Sequence, residues 1–358
     1  MDYAYAALDR GYIPDFTLRR AIRALNAQRI RSLSSGTYSK DIENKIEYID
    51  SLKTNEIAIE TEKANEQHYE VDTDFMLSCL GKRAKYSCCL YPTGKETLDQ
   101  AEEAMLDSYC TKAKLKDGQD VLDLGCGWGS LSLYLAERYP NSRVKSLSNS
   151  KTQKIYIDST AKARGLKNLE VFTGDVKLYD FADIKFDRIL SIEMFEHMKN
   201  YSLLFSKVSS WLKSSPKDNP SDPSLLFIHI FCHKTTPYHF EESDGWMAQN
   251  FFSGGTMPSH DLFLHFQQKV VLEKIWWLNG NHYARTCEDW LKKQDKGNKG
   301  GKSIAGLRAD AKKKGVDEAE GEKTFYRFRV FYLACAEFFA TNGGEEWGVG
   351  HYLFTKRD

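Results

Sequence analysis

No stretch of this sequence approaches the ~18 uninterrupted apolar residues that a membrane-spanning helix requires. Its opening residues, MDYAYAALDRGYIPDF, carry no basic segment leading into an apolar core, so no export signal is expected. The expectation is a cytoplasmic protein without stable membrane association. Net charge is missing too, because 50 Lys and Arg are balanced by 50 Asp and Glu. Bulk electrostatics therefore give no reason to expect a nucleic-acid partner or an anionic surface. The eight cysteines include the adjacent pair Cys88 and Cys89 but no CxxC pair or framework spacing. Reduced thiols are expected rather than disulfides. Internal repeats are absent as well.

What is present is enough apolar material for a substantial core, with 41% hydrophobic residues in 358, and room for one elaborated domain or a domain plus cap. The first hundred residues read as helical. Leu18, Ile22, Leu25, Ile30 and Leu33 mark one apolar stripe, with Arg19, Arg20, Arg23 and Arg31 largely off it; Ile42, Ile46, Ile49 and Leu52 mark another. A third helix is predicted to start at Thr97, which has capping-box spacing to Gln100.

From Asp120 short apolar runs alternate with helical patterns, which argues a parallel sheet built of βαβ units. The candidate strands are 121–124, 144–147, 169–172, 188–192 and 225–231. SSPKDNPSDPS, 214–224, holds three of the eight prolines and reads as a loop before the fifth of these. After His233 comes an aromatic- and glycine-rich segment, then KVVLEKIWWL, a Lys/Gly-rich run from Lys292, the helical FYRFRVFYLACAEFF and the strand-like HYLFTKR. The aromatic residues Trp246, Phe251, Phe252, Phe263, Phe266, Trp276 and Trp277 are expected to be mostly core, with the cap portion available to an apolar substrate. Within the Lys/Gly run, GNKGGKS at 297–303 lacks the first glycine of a phosphate loop and any preceding strand, and is expected to be a flexible loop.

The sharpest chemical signal is VLDLGCGWGS, 121–130. A strand enters Asp123, then Gly125, Gly127 and Gly129 alternate, then a helix follows. Glycines let backbone approach a ligand, and the helix N-terminus offers unpaired N–H groups. The loop is not GxGxxG, and the next strand ends in SLSNS without an acid to hold a ribose diol, which argues against a dinucleotide. Asp123 suits a methionyl-type ligand, whose ammonium needs an anion. A plain strand-to-helix turn is the alternative.

SIEMFEHMKNY, 191–201, places Glu193, Glu196 and His197 at spacings of three and four. One helical turn would gather them on a single face. Acids favouring a helix N-terminus are the bland alternative. His229, Cys232 and His233 invite a metal reading, but His229 and Cys232 alternate to opposite faces of a strand, so no metal is expected.

DLGCGWG, FDRILSIEMFEHMKNY, YSCCLY at 86–91, GGTMPS and HYARTCEDW at 282–290 together resemble the cyclopropane fatty acid synthase and coclaurine N-methyltransferase superfamily. The likeness covers nearly the whole chain, and TNGGEEW at 341–347 points to the coclaurine N-methyltransferase-like branch. It implies an α/β, Rossmann-like class I methyltransferase sheet with helices on both faces, an N-terminal helical lid (1–115), a core binding S-adenosylmethionine (116–233), and a late cap carrying the last core strands (234–358). A homodimer is one assembly compatible with it.

The resemblance also assigns roles. Tyr86 and Ser87 would meet the methionyl carboxylate end of the donor, and Gly125 and Gly127 its methionine moiety, beside Asp123. Ser148, Asn149 and Gln153 fall where the family replaces the usual ribose-binding acid; Asp175 and Val176, after Gly174, would frame the adenine. Simple turn or cap roles stay open for Ser148, Asn149 and Asp175. Glu193, Glu196 and His197 would hold the substrate and take its proton. In the cyclopropane synthases a bicarbonate is the base, and its ligands correspond to Cys88, Glu196, His229 and Tyr283. His229 stands where the coclaurine-type enzymes carry a carboxylate, and a satisfied core histidine is its alternative. The implied activity is N-methylation of a small, largely apolar amine of aromatic or alkaloid-like type. The rival is alkene C-methylation or cyclopropane formation on an unsaturated lipid, with bicarbonate as an additional cofactor, and a non-catalytic scaffold is the third reading.

Overall fold

The computed structural model describes residues 2–58, 71–214, 222–240, 245–251 and 254–357. Most of the proline-rich loop at 214–224 and Phe252 lie outside these residues. Twelve described helices run α1 (Asp2–Leu8), α2 (Asp15–Ser32), α3 (Tyr38–Lys53), α4 (Thr73–Cys79), α5 (Leu98–Lys112), α6 (Ser130–Arg138), α7 (Lys151–Ala163), α8 (Tyr201–Trp211), α9 (Trp246–Phe251), α10 (Asn281–Gly297), α11 (Lys302–Lys313) and α12 (Glu318–Phe339). The strands are β1 (Asp120–Leu124), β2 (Arg143–Ser148), β3 (Leu169–Thr173), β4 (Arg188–Ile192), β5 (Leu225–His233), β6 (Tyr238–His239), β7 (Thr256–Met257), β8 (Val270–Leu278) and β9 (Trp347–Lys356).

Seven strands form one sheet in the order β3-β2-β1-β4-β5-β9-β8. β1 to β5 pair in parallel, while β9 is antiparallel to both β5 and β8. Every residue of β5, LLFIHIFCH, is buried, as expected for a strand covered on both faces. Chain order reverses at β1, which lies between β2 and β4. At such a switch point the loops leave in opposite directions and open a crevice at the carboxyl ends of the strands.

α5 begins as expected, with Thr97 and Gln100 forming a reciprocal capping box. It lies on the sheet, its buried Tyr109 5.6 Å from the Phe227 ring of β5. α2 reaches across to α12 and α10. Arg19 bonds Glu337 and Glu288, Arg23 bonds Glu337, and the Asn26 amide donates to the Glu337 carbonyl. Two arginines placed off the apolar stripe are thus ion-paired. The stripe itself is only partly covered: Leu18 is buried but Leu25 is 62% exposed, and on α3 Ile49 and Leu52 are buried whereas Ile42 and Ile46 are not.

GNKGGKS is a joint between helices and not a flexible loop. α10 ends at Gly297, a single tight turn covers Lys299–Gly301, and α11 starts at Lys302. Gly300 and Gly301 take φ of 70° and 76°, a region open to glycine without steric cost, and that is what reverses the chain so quickly. All eight cysteines are buried without disulfides. Among the described residues no helix is long and apolar enough to cross a membrane.

Candidate active site

β1 delivers Asp123 and the glycine loop to the switch point. Gly125, Gly127 and Gly129 all have positive φ, at 84°, 51° and 76°. A Cβ on Gly125 would strike Met194 at 2.7 Å, whereas one on Gly127 would meet nothing within 4 Å. Gly127 lines a cleft also lined by Lys85, Tyr86, Ser87, Asp123 and Glu193. Ser132 donates to Asp123 Oδ2 over 2.6 Å, and burial pushes the Asp123 carboxyl up to about 6.

The remaining donor residues expected from sequence sit at the ends of β2 and β3. The Ser148 hydroxyl donates to Gln153 Oε1 at 2.8 Å, Asn149 is exposed, and Asp175 Oδ1 accepts from the Lys177 N–H at 2.8 Å, which closes a turn. Val176 is packed into the core with Leu147. The site suits a polar donor. Trp128 Nε1 and Ser130 Oγ, both lining the cleft, and Gln153 Nε2 are buried without a partner among the described residues.

SIEMFEHMKNY does not form the single α-helical turn its spacing suggests. β4 stops at Ile192, Glu193 takes φ of 50°, and only Phe195–His197 forms a short 3₁₀ turn. A left-handed glutamate costs on the order of 1–3 kcal/mol and persists only where its surroundings over-determine it. Here they do. The Cys88 N–H donates to Glu193 Oε1 at 2.9 Å, the Tyr283 hydroxyl donates to Oε2 at 2.6 Å, and His229 Nε2 lies 3.0 Å from Oε1.

Three of the four residues expected to enclose a bicarbonate therefore enclose the chain's own carboxylate. Cys88 takes part through its backbone. Its thiol is turned to the Cys89 carbonyl at 3.3 Å, and burial pushes its pKa well up. Burial also raises Glu193 above the usual carboxylate range, opposed by the charge of Lys85 and the bonds from Cys88 and Tyr283. Glu196 is separate from this cluster. It is buried, its Oε2 has no partner among the described residues, and burial followed by the nearby Glu193 charge raises it well above an ordinary glutamate. His197 is half-buried on the same turn, and its charge favours the ionised form of Glu193.

Four site residues went unnoticed in the sequence. Lys85 is buried, donates to Ser87 Oγ and the Cys88 carbonyl at 2.5 and 2.7 Å, and lies over the Tyr109 ring. Tyr109, His351 and Lys112 extend the cluster behind His229. None of the four left a local signal; His351 comes opposite His229 through the register of β5 and β9.

A glycine loop at the switch point, opening on a polar cleft that ends at a buried carboxylate, is how a class I methyltransferase receives S-adenosylmethionine, and this chain is one. Residues 57–343 match the family model described as mycolic acid cyclopropane synthetase. The chain is 40% identical over 354 residues to the (S)-coclaurine N-methyltransferase of Thalictrum flavum subsp. glaucum, covering 98% of this chain and 94% of that one. A crystal structure of coclaurine N-methyltransferase bound to N-methylheliamine and SAH superposes with a TM-score of 0.91 at 38% identity, covering 99% of each chain. A cyclopropane synthase of Mycobacterium tuberculosis shares the fold, with a TM-score of 0.68 at 22% identity over 84% of this chain and all of that one. The protein belongs to the superfamily of cyclopropane fatty acid synthases and coclaurine N-methyltransferases, on the coclaurine N-methyltransferase-like branch.

Proposed function

We propose that this enzyme methylates the nitrogen of a small, largely apolar, alkaloid-like amine in the cytoplasm, without a bicarbonate. The observation that carries the reading is Glu193. Its carboxylate already accepts from the Cys88 N–H and Tyr283 hydroxyl and faces His229, the groups that a separate anion would need. Two of the proteins named above, the Thalictrum flavum relative and the solved structure with a TM-score of 0.91, are coclaurine N-methyltransferases, which favours the same substrate class.

The donor supplies an electrophilic methyl on a sulfonium. The chain's residues must align a nitrogen lone pair with it and manage one proton. An aliphatic amine and a buried carboxyl share that proton, and transfer requires it on oxygen. The raised pKa of Glu196 favours that state, and an ammonium would satisfy its unpartnered Oε2. Glu193 stands next to it as the second acceptor, and His197 balances its charge. Tyr86, Ser87, Asp123, Gly125 and Gly127 would hold the methionyl end of the donor; Ser148, Asn149, Gln153, Asp175 and Val176 flank its ribose and adenine end.

Purified protein with methyl-labelled donor, offered pools of amines and of unsaturated lipids in carbonate-depleted buffer, tests the reading. Label in the amine pool supports it. Label confined to lipid, or turnover only after bicarbonate is added, overturns it.

A further inference from the structure

Behind Glu193 a file of buried groups leads away from the cleft and through the sheet. His229 Nε2 faces Glu193 Oε1 at 3.0 Å, and His229 Nδ1 faces His351 Nε2 at 2.8 Å. His351 Nδ1 faces Lys112 Nζ at 2.7 Å. His229 and His351 are buried, the Glu193 side chain is 9% exposed, and Lys112, in the last turn of α5, is half-exposed. Each contact is within hydrogen-bonding distance, with no gap from the active-site carboxylate to the surface.

We propose that this file is a proton exit: it carries the proton removed from the substrate ammonium out of the closed site to Lys112 and solvent. The inference rests on the amine reading above. Buried histidines side by side have a simpler role as satisfied core groups, but that role does not require an amine at the end of the file.

The step balances. Take the state with Lys112 as a neutral amine, His351 protonated on Nδ1 and His229 on Nδ1. The ammonium proton, taken first by Glu196, passes on to Glu193 as the second acceptor. The Glu193 O–H then gives its proton to His229 Nε2 as His229 Nδ1–H gives its own to His351 Nε2, and His351 Nδ1–H gives its own to Lys112 Nζ. Three N–H bonds form, and one O–H and two N–H bonds break. Glu193 is again a carboxylate, both imidazoles are neutral in the other tautomer, and Lys112 is an ammonium. Release of that proton to water frees Lys112, and proton exchange with water after the product leaves returns each imidazole to its Nδ1–H tautomer for the next turnover.

The surroundings fit both tautomers. The Tyr109 hydroxyl, 2.9 Å from His229 Nδ1, can donate to the bare nitrogen or accept from Nδ1–H. Burial and the charges of Lys85 and Lys112 hold His229 well below the ordinary imidazole range; burial, His229, Lys112 and Lys85 do the same to His351. Neither imidazole holds a second proton, which suits a relay and not a store. Burial lowers the Lys112 amine to about 8, so it alternates between acceptor and donor near working pH. From β8 the Trp276 ring faces it at 5.1 Å, with Lys274 over the same ring at 5.4 Å. No carboxylate bonds Lys112 Nζ among the described residues.

The test uses Lys112→Met and Lys112→Arg in the full chain. Arginine keeps the charge but never becomes a proton acceptor. Amine methylation is followed in single turnovers in dilute buffer with a pH-indicator dye, then repeated with increasing imidazole. If the file is the exit, both variants lose at least about tenfold in methyl-transfer rate, less than the roughly 10²-fold or more of losing a general base itself because the first acceptor remains. Donor affinity and the KM for amine stay unchanged, and imidazole restores the rate. Parental rates in Lys112→Arg, or losses that imidazole leaves untouched, overturn the exit while leaving the amine reading intact. A parent enzyme that does not methylate amines at all sinks the amine reading, and the exit falls with it.

Discussion

The Tyr283 hydroxyl donates to Glu193 Oε2 over 2.6 Å, and this bond joins α10 to the end of β4. Because the donor stabilises the ionised carboxylate, it lowers a pKa that burial raises. Tyr283→Phe should leave Glu193 protonated to higher pH. The acid limb of the kcat profile should move to higher pH and kcat should fall about tenfold below that limb, with donor affinity retained. An unshifted limb would show that Glu193 ionisation does not limit turnover.

At Gly127 the test is binding. φ of 51° strains any L side chain, and the space a Cβ would enter is the cleft. Gly127→Val should therefore lose at least about tenfold in affinity for S-adenosylmethionine, since a branched side chain there both strains the loop and takes ligand volume. Gly127→Ala should lose less. Titration calorimetry decides, and unchanged affinity in the valine variant would remove this loop from the donor site.

Glu196→Gln keeps the shape of a buried, unpartnered side chain and removes its capacity to take a proton. Turnover should drop by roughly 10²-fold while donor affinity barely moves. A kcat within a few-fold of the parent would mean that Glu196 is only packing.

Asp123 offers a stability test. Its folded pKa is about 6 against 3.8 for the free group, so the folded state binds the extra proton between those values. For this raised carboxyl, stability falls as pH rises from about 4 to 6, and the full penalty, on the order of 3 kcal/mol, applies above that. Asp123→Asn should raise the melting temperature of the ligand-free protein at pH 7.5 by a few degrees and flatten its dependence on pH across that window, while weakening donor binding. Calorimetric melts from pH 4 to 8 with and without donor check both halves.

The parallel strands were readable to within one or two residues because each is a short apolar run bounded by turn residues, as with RILSI at 188–192. The capping box at Thr97 and the glycine loop were readable for the same reason: their signals are local. What escaped was set by pairing across the chain. Nothing near Glu193 announces a left-handed backbone held by a tyrosine 90 positions away, and nothing around Lys85 distinguishes a buried lysine from a solvated one. The opposition of His229 and His351 follows from strand register, which the hydrophobic pattern alone does not supply between strands so far apart. Covariation between those positions would have revealed it.

β9 lies between β5 and β8 in the sheet, yet β5 ends at His233 and β9 begins only at Trp347. During synthesis, then, a buried and mostly apolar strand waits with one edge unpaired while α9 to α12 and β8 are made. Such an edge is a template for pairing with a neighbouring chain, and contacts so distant in sequence form slowly. The expected hazard for this protein is therefore aggregation of nascent or refolding chains. It should be relieved by a holdase or by a lower concentration of refolding chains, with no change in the stability of molecules that have already closed the sheet.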